Sequence, residues 1–99
     1  MATVYYGERF EWDDEKARTN LAKHGISFES ASGAWDDPKA VDRPDETHSI
    51  DEERRILLGL SKAGTVVFIS WTWREGRRRL ISARKASAME REDYGTHNL

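Results

Sequence analysis

Three β-rich runs joined by short turns in the second half of the chain constrain the fold most. The runs are Arg54 to Ser61, Thr65 to Trp73 and Arg78 to Ala83, and the turns between them contain Gly64 and Gly76. Consecutive strands with short connections pair as an antiparallel meander. Apolar side chains alternate onto both sides of the middle run, which predicts a central strand that is covered on each face.

A helix is predicted before these runs. Asp13 is a good N-cap for a helix over Glu15 to His24, and Gly25 ends it. Two stripes run along the helix at helical spacing. The mostly apolar stripe, which we expect to face the core, is Ala17, Leu21 and His24. The polar stripe is Lys16, Asn20 and Lys23.

Two further helices are indicated by their capping residues. Ser27 opens a short helix over Phe28 to Trp35. Ser87 and Glu90 form a capping box for a C-terminal helix through Tyr94, which we expect Gly95 to close.

The remaining segment contributes one short strand, and the elements together give a fold class. Ala40 to Arg43 is predicted as an edge strand within a polar, turn-rich loop. The predicted class is α+β, with N-terminal helices packed on an antiparallel β-meander and a C-terminal helix. We expect a single domain over residues 1–99, with an ordered core over about 4–95.

Composition excludes several classes of protein. The chain has no cysteine, so disulfides, thiolate catalysis and thiolate zinc sites are excluded. Its longest apolar run is far too short to cross a bilayer, and the residues before Phe10 contain no apolar segment of a signal peptide. We therefore expect a cytoplasmic protein that uses neither a membrane, a cofactor nor a metal ion.

Charge is unevenly distributed along a chain whose net charge is only −2. Residues 36–53 contain eight acidic and two basic residues, whereas residues 71–85 contain six basic residues and one acidic residue. A concentrated group of cations favours nucleic acid as a partner. The acidic stretch is a candidate docking surface for a basic protein, although such a partner more economically covers the arginines themselves. The alternative to two binding surfaces is that these charges only solvate a loop and the hairpin beside it.

One ordered set of residues extends through most of the chain. It comprises Phe10-Glu11-Trp12-Asp13, Lys16, Asn20, Lys23-His24-Gly25-Ile26, Phe28-Glu29, Ala31, Asp37-Pro38, Arg54, Gly59, Thr72, Arg74, Arg79-Leu80-Ile81-Ser82-Ala83-Arg84-Lys85-Ala86, Glu90-Arg91 and Tyr94. Together these residues resemble the BrnT toxin family. The resemblance implies a RelE-like fold and the toxin half of a type II toxin–antitoxin pair, a ribonuclease that shuts down translation. It also implies a ribbon-helix-helix antitoxin, BrnA, that masks the toxin, and binding to operator DNA only through the complex.

Arginines are the predicted catalytic cations. RNA cleavage without a metal requires the ribose 2′-hydroxyl to attack the adjacent phosphate while the extra negative charge is stabilised. Guanidinium groups suit this task because their planar fork matches phosphate oxygens. We expect Arg54, Arg79 and Arg84 to converge on one phosphate. Strand alternation separates Arg79 from Arg84 unless a bulge or the strand end re-aims one of them.

The groups that would transfer protons are less clearly indicated by the sequence. His24 is a candidate because an unperturbed imidazole titrates near neutral pH, but a histidine at a helix end can equally pack on the core. Glu53 is a candidate base or, alternatively, a solvated charge at the start of a strand. His48 and His97 are assigned no role.

A second group of residues is predicted to hold RNA without reacting with it. These residues are Lys23, Trp73, Arg74, Arg77, Arg78 and Lys85. Trp73 either stacks on a base beside Arg74 or packs in the core with Trp71. Two other functions stay open at this stage: a non-catalytic module that binds nucleic acid or an antitoxin, and a toxin that attacks another target such as a topoisomerase.

Overall fold

A six-stranded mixed sheet forms the centre of the computed structural model, which describes residues 2–50 and 52–97. The strands are β1 (Thr3–Tyr6), β2 (Phe10–Asp13), β3 (Val41–Pro44), β4 (Arg55–Leu60), β5 (Val66–Arg74) and β6 (Arg77–Lys85). Their order across the sheet is β1-β2-β6-β5-β4-β3. Neighbouring strands are antiparallel except β2 and β6, which are parallel.

Helices flank the sheet at three places in the chain. They are α1 (Asp14–His24), α2 (Phe28–Ala31), which continues as a 3₁₀ turn over Ser32–Asp36, and α3 (Ala88–His97). A second 3₁₀ turn covers Glu46–His48. In α1 the Asp13 carboxylate accepts from the Lys16 N–H at 3.0 Å, and Gly25 adopts a left-handed conformation at the other end, as predicted. None of the helices in the described ranges is long and apolar enough to cross a membrane.

The predicted meander is correct for β4, β5 and β6, but the predicted architecture omitted two strands. β1 and β2 precede α1, and the parallel pairing of β2 with β6 makes the sheet mixed rather than purely antiparallel. All four residues of β2 are buried, including the charged Glu11 and Asp13. Phe10 and Trp12 pack in the main core and alternate with Glu11 and Asp13, so the usual strand pattern is present but extends over only four residues.

The boundaries of the later helices also differ from those predicted. The helix expected over Phe28 to Trp35 tightens into a 3₁₀ turn from Ser32 onwards. The C-terminal helix does not stop at Gly95 but continues to His97. A glycine weakens a helix by only about 1 kcal/mol, which is not enough by itself to end one.

The two faces of the sheet differ in character, and both are covered at β5 as predicted. The aromatic face packs Trp12, Trp71 and Leu80 against α2 in the main core. The opposite face carries a smaller apolar cluster in which Phe68 and Tyr94 pack around buried Leu58.

Asn20 fastens α1 to the sheet at the point where β2 ends. Beyond Trp12 no strand of the described residues pairs with the outer edge of β6, and the Asn20 side chain takes that place. Its Oδ1 accepts from the Ala83 N–H at 3.0 Å, and its Nδ2 donates to the Ala83 carbonyl at 2.8 Å. The predicted stripes of α1 are therefore wrong in phase, because Asn20 is buried whereas Leu21 is half exposed. Packing through a buried amide cannot be recognised from apolar periodicity.

Candidate functional site

A register shift between β5 and β6 decides which arginines lie together. Ser70 is opposite Ser82 but Trp71 is opposite Leu80, so Ile81 is an extra residue on β6. Such a bulge reverses the alternation of side chains beyond it. Arg79 and Arg84 consequently share one face. Of the two predicted exceptions to strand alternation, a bulge and the strand end, the bulge is the one present. We call this side the basic face; it carries Arg74, Arg77, Arg79 and Arg84.

A cleft of about 630 Å³ opens between α1 and β6 on the basic face, and we call it the helix cleft. Polar and charged side chains dominate its lining. They include Glu15, Lys16, Lys23, His24, Arg79 and Ser82. Three residues predicted for the site lie in one cavity: Lys23 and His24 come from α1 and Arg79 from β6.

A buried ion pair fixes Arg79 in this cleft. Arg79 Nη1 donates to Glu11 Oε2 at 2.6 Å, and the side chains of Arg79 and Glu11 are 17% and 5% exposed. Because Glu11 lies on β2, directly beside Arg79 in the parallel pair, the contact joins two neighbouring strands. Sequence reasoning assigned Glu11 no role of its own. In the sequence it stands out as a charge between two aromatic residues.

Two other polar residues of the helix cleft form hydrogen bonds that maintain the fold. Asp13 caps α1, and Asn20 completes the edge of β6. The other lining side chains that are chemically suited to proton transfer are His24, half-buried in the last turn of α1, and the exposed Glu15. The cleft thus combines a guanidinium, two ammonium groups, an imidazole and a carboxylate.

Arg54 and Arg74 line a different cavity on the sheet. This loop cleft, of about 430 Å³, is lined by Thr47, His48, Ile50, Glu52, Arg54 and Arg74. Glu52 lies 3.9 Å from Arg54 Nε and 3.5 Å from Arg74 Nη2. Glu53, predicted as a base, points elsewhere: its carboxylate accepts from Arg55 at 3.1 Å and is 72% exposed.

Arg84 holds α3 against the sheet. Its two terminal nitrogens donate to the Glu90 carboxylate at 2.7 and 2.9 Å, and its guanidinium lies 4.1 Å from the centre of the Phe68 ring. These hydrogen bonds raise the pKa of Arg84 and lower the pKa of Glu90 to about 2. Arg79 lines the helix cleft, Arg54 lines the loop cleft and Arg84 is engaged by Glu90, so the structure does not gather the three arginines around one cavity.

Tyr94 provides a second attachment for α3. Its hydroxyl donates to Asp37 Oδ2 at 2.6 Å, while the Leu60 N–H donates to the same oxygen at 3.0 Å. Burial and the contact with Asp37 raise the pKa of Tyr94 to about 12. Burial alone would raise the pKa of Asp37, but the hydrogen bonds from Tyr94 and from backbone N–H groups bring it below its ordinary value. The pair therefore stays in its hydrogen-bonded form at neutral pH.

The remaining cations of the β5–β6 hairpin are divided between the two faces. Arg77 lies 4.8 Å from the Tyr5 ring centre on the basic face, whereas Arg78 lies 4.7 Å from the Trp73 ring centre on the aromatic face. Burial, together with nearby Arg9, lowers the pKa of Arg78. Trp73 is 53% exposed and touches Trp71 at its edge, so much of its surface is open to solvent. Lys85 is exposed at the far end of β6, outside both clefts.

Acidic residues of the 36–53 stretch are largely engaged by neighbouring cations. Asp36 binds Arg9 at 3.0 Å, Asp42 binds Arg55 at 3.1 Å, and Asp45 contacts His48 at 2.8 Å. Within residues 2–50 and 52–97, no three acidic or histidine side chains are arranged to hold a metal ion. The acidic residues named here therefore make contacts within the fold and do not form a uniform negative surface.

Comparisons with known proteins agree on one group of toxins. The family model described as "Ribonuclease toxin, BrnT, of type II toxin-antitoxin system" matches residues 12–90. The crystal structure of the Brucella abortus ribonuclease toxin BrnT is similar, with a TM-score of 0.60 and 26% sequence identity over 77% of this chain and 92% of that chain. No curated protein sequence matches. The matched residues include the six polar and charged side chains of the helix cleft named above.

Proposed function

Because the chain belongs to the BrnT family of ribonuclease toxins from type II toxin–antitoxin systems, we propose that the helix cleft is where it cleaves RNA, without a metal ion. One observation carries this assignment. Lys23, His24 and Arg79 line one cavity on the basic face, next to Lys16 and Glu15. Cations for phosphate and groups for proton transfer are thereby close together.

The proposed reaction is an internal transfer of the phosphoryl group. The ribose 2′-oxygen loses its proton and attacks the adjacent phosphorus, and the bond from phosphorus to the 5′-oxygen breaks as that oxygen takes up a proton. The products are a 2′,3′-cyclic phosphate and a free 5′-hydroxyl. Catalysis requires stabilisation of the added negative charge on the phosphoryl oxygens and two proton transfers.

Arg79 is the group that would stabilise the phosphoryl oxygens. A guanidinium has five N–H donors, and the pairing with Glu11 holds its fork in a fixed orientation while it lines the cleft. A donor that is already in place needs no reorganisation when charge develops. Glu11 is therefore a positioning residue in this scheme.

His24 and Glu15 would exchange the protons. Both line the helix cleft, and an imidazole and a carboxylate together supply a base and an acid near neutral pH. Lys16 and Lys23 would add positive charge along the α1 wall of the cleft, where they attract the RNA backbone. This scheme replaces Glu53, whose carboxylate is engaged with Arg55, by Glu15.

An antitoxin would block this reaction by covering the basic face. A ribonuclease toxin of a type II system acts with an antitoxin partner and an RNA substrate. We propose that the antitoxin is a ribbon-helix-helix protein of the BrnA type and that operator DNA is bound only through the complex. The toxin would act in the cytoplasm, where RNA cleavage would inhibit translation. Support comes from the cations of both clefts, which lie on one side of the sheet. Loss of antitoxin co-purification by Lys23→Glu, with retention by Asp42→Lys, is the expected result; the opposite pattern would point to the acidic stretch.

Substitution of His24 tests the catalytic assignment. His24→Ala should lower kcat/KM for RNA cleavage by about 10²- to 10⁴-fold in the presence of EDTA, the usual contribution of one proton-transfer group. The matched control is His97→Ala, which removes a histidine at the end of α3. Analysis of the product ends should find 2′,3′-cyclic phosphates. Full activity of His24→Ala would overturn the assignment, and RNA left intact but bound by the unaltered protein would favour the non-catalytic alternative.

A further inference from the structure

The loop cleft contains an anion-binding set of side chains that the proposed reaction does not use. Arg54 and Arg74 are the cations, and Glu52 is the carboxylate between them. His48 completes the wall, and its Nδ1 lies 2.8 Å from Asp45 Oδ2. The Asp45 side chain is only 13% exposed, so the His48 imidazole is anchored to a nearly buried carboxylate.

The wall of this cleft is a built structure rather than a chance arrangement of surface side chains. The Asp45 N–H donates to the Arg54 carbonyl at 2.8 Å, and the Arg54 N–H donates to Ser49 Oγ at 2.9 Å. Ser49 Oγ in turn donates to the Asp45 carbonyl at 2.6 Å. These bonds tie the loop to itself and fix the backbone of Arg54 immediately before β4.

The two arginines are held loosely enough to accept a ligand. Their distances to Glu52, 3.9 and 3.5 Å, exceed the 2.6 Å of Arg79 to Glu11 and the 2.7 Å of Arg84 to Glu90. Among residues 2–50 and 52–97, Glu52 is the carboxylate that contacts both guanidiniums, and one negative charge does not balance two positive ones. Phosphate oxygens accept the same N–H donors with better geometry than a distant carboxylate.

Both clefts lie on the same face, close enough for one strand of RNA to cross. Arg74 is paired with Arg77, two residues before Arg79 on β6. Diagonal neighbours of this kind in an antiparallel pair have Cα atoms about 7–8 Å apart. A strand that places one phosphate on Arg79 therefore carries another phosphate past Arg74.

We propose that the loop cleft is a second phosphodiester subsite, in which Arg54 and Arg74 bind a phosphate of the RNA strand adjacent to the one cleaved in the helix cleft. The proposal rests on the proposed function for its substrate. On binding, the phosphate takes the place of Glu52 between the two guanidiniums. The subsite makes the protein prefer RNA that is long enough to occupy both clefts.

Binding of an uncleavable strand tests the subsite without requiring catalysis. The probe is a single-stranded 2′-deoxy dodecamer, which lacks the attacking hydroxyl. Arg54→Gln/Arg74→Gln should weaken its binding about 10-fold, and the slope of log K against log salt should fall by about 0.7 for the lost phosphate contact. The control is Arg18→Gln, an exposed arginine of α1 paired with Asp14. An unchanged slope with affinity within twofold would overturn the subsite.

Cleavage of two RNA lengths separates this subsite from the reacting centre. The double variant should lose at least 10-fold more kcat/KM on an RNA dodecamer than on a dinucleotide, since the dinucleotide cannot reach the second cleft. Equal losses on both substrates would overturn the proposal by placing these arginines on the reacting phosphate. If the unaltered protein binds the deoxy dodecamer as expected but cleaves no RNA, the proposed function fails while the subsite stands. Arg54→Lys/Arg74→Lys is a further control. Equal melting temperatures of this variant, the double glutamine variant and the unaltered protein establish that the fold is kept.

Discussion

Arg79 and Arg84 lie five residues apart on β6 and on the same face, yet they serve different purposes. Arg79 is paired with Glu11, a buried residue on the neighbouring strand, and also lines the helix cleft. Arg84 gives both terminal nitrogens to Glu90 on α3 and lies over Phe68. The first pairing joins two strands inside the sheet, whereas the second fastens a helix to its surface.

The difference shows that the partner of an arginine, rather than its position in a motif, decides whether it is available to a substrate. A single contact to one carboxylate oxygen leaves the rest of the Arg79 fork for another anion. A bidentate contact engages both terminal nitrogens of Arg84. Three substitutions test how far this contrast extends.

The largest effect is expected when Glu11 loses its partner. Arg79→Leu should destabilise the protein by about 3–5 kcal/mol, because a buried carboxylate is then left uncompensated. Glu11→Leu/Arg79→Leu should recover most of this loss, since no charge remains buried. Urea unfolding at neutral pH measures both values. If Arg79→Leu is as stable as the unaltered protein, Glu11 is more accessible to water than its 5% exposure indicates.

An intermediate effect is expected at the attachment of α1. Asn20→Ala removes the partners of the Ala83 N–H and carbonyl and should cost about 2–3 kcal/mol of stability. Because α1 forms one wall of the helix cleft, RNA cleavage should fall as well. Hydrogen exchange should show loss of protection at Ala83. Unchanged protection would indicate that another group replaces the amide.

The smallest effect is expected at the attachment of α3. Glu90→Gln should cost about 1 kcal/mol at neutral pH, because Arg84 is partly exposed and solvent screens the pair. RNA cleavage should stay within twofold. The pKa of Glu90 is lowered on folding, so its stabilising contribution is present above the unfolded value of about 4.5 and is lost as pH falls toward 2. Melting temperatures of the two proteins should therefore converge between pH 4.5 and 2; a constant difference would contradict the ion pair.

Much of the fold follows from local sequence. The N-cap Asp13 and the turn at Gly25 placed the two ends of α1. The three β-rich runs placed β4, β5 and β6. β1 and β2 were not predicted because β2 is a short strand whose charged residues are buried by partners distant in sequence. Glu11 is acceptable there only because Arg79 lies beside it.

The candidate site was predictable in its residue types but not in its grouping. His24, Lys23 and Arg79 were identified from charge, titration range and family resemblance, and they line one cleft. Alternation in an ideal strand, however, placed Arg79 and Arg84 on opposite faces, and the extra residue at Ile81 reverses this. A bulge depends on how two strands pair, so the sequence of one strand alone does not contain it.

The parallel pairing of β2 with β6 also bears on how the protein is made. Glu11 and Arg79 are 68 residues apart in the sequence. During translation, a chain grows from its N-terminus and its early segments leave the ribosome first. β2 can pair with β1 early, but its parallel pairing must wait for β6, the last strand, and the helix cleft has no floor until that happens. If the helix cleft is the site of cleavage, as proposed, a chain that ends before β6 lacks Arg79 and cannot cleave RNA, so nuclease activity arises only once β6 has been made.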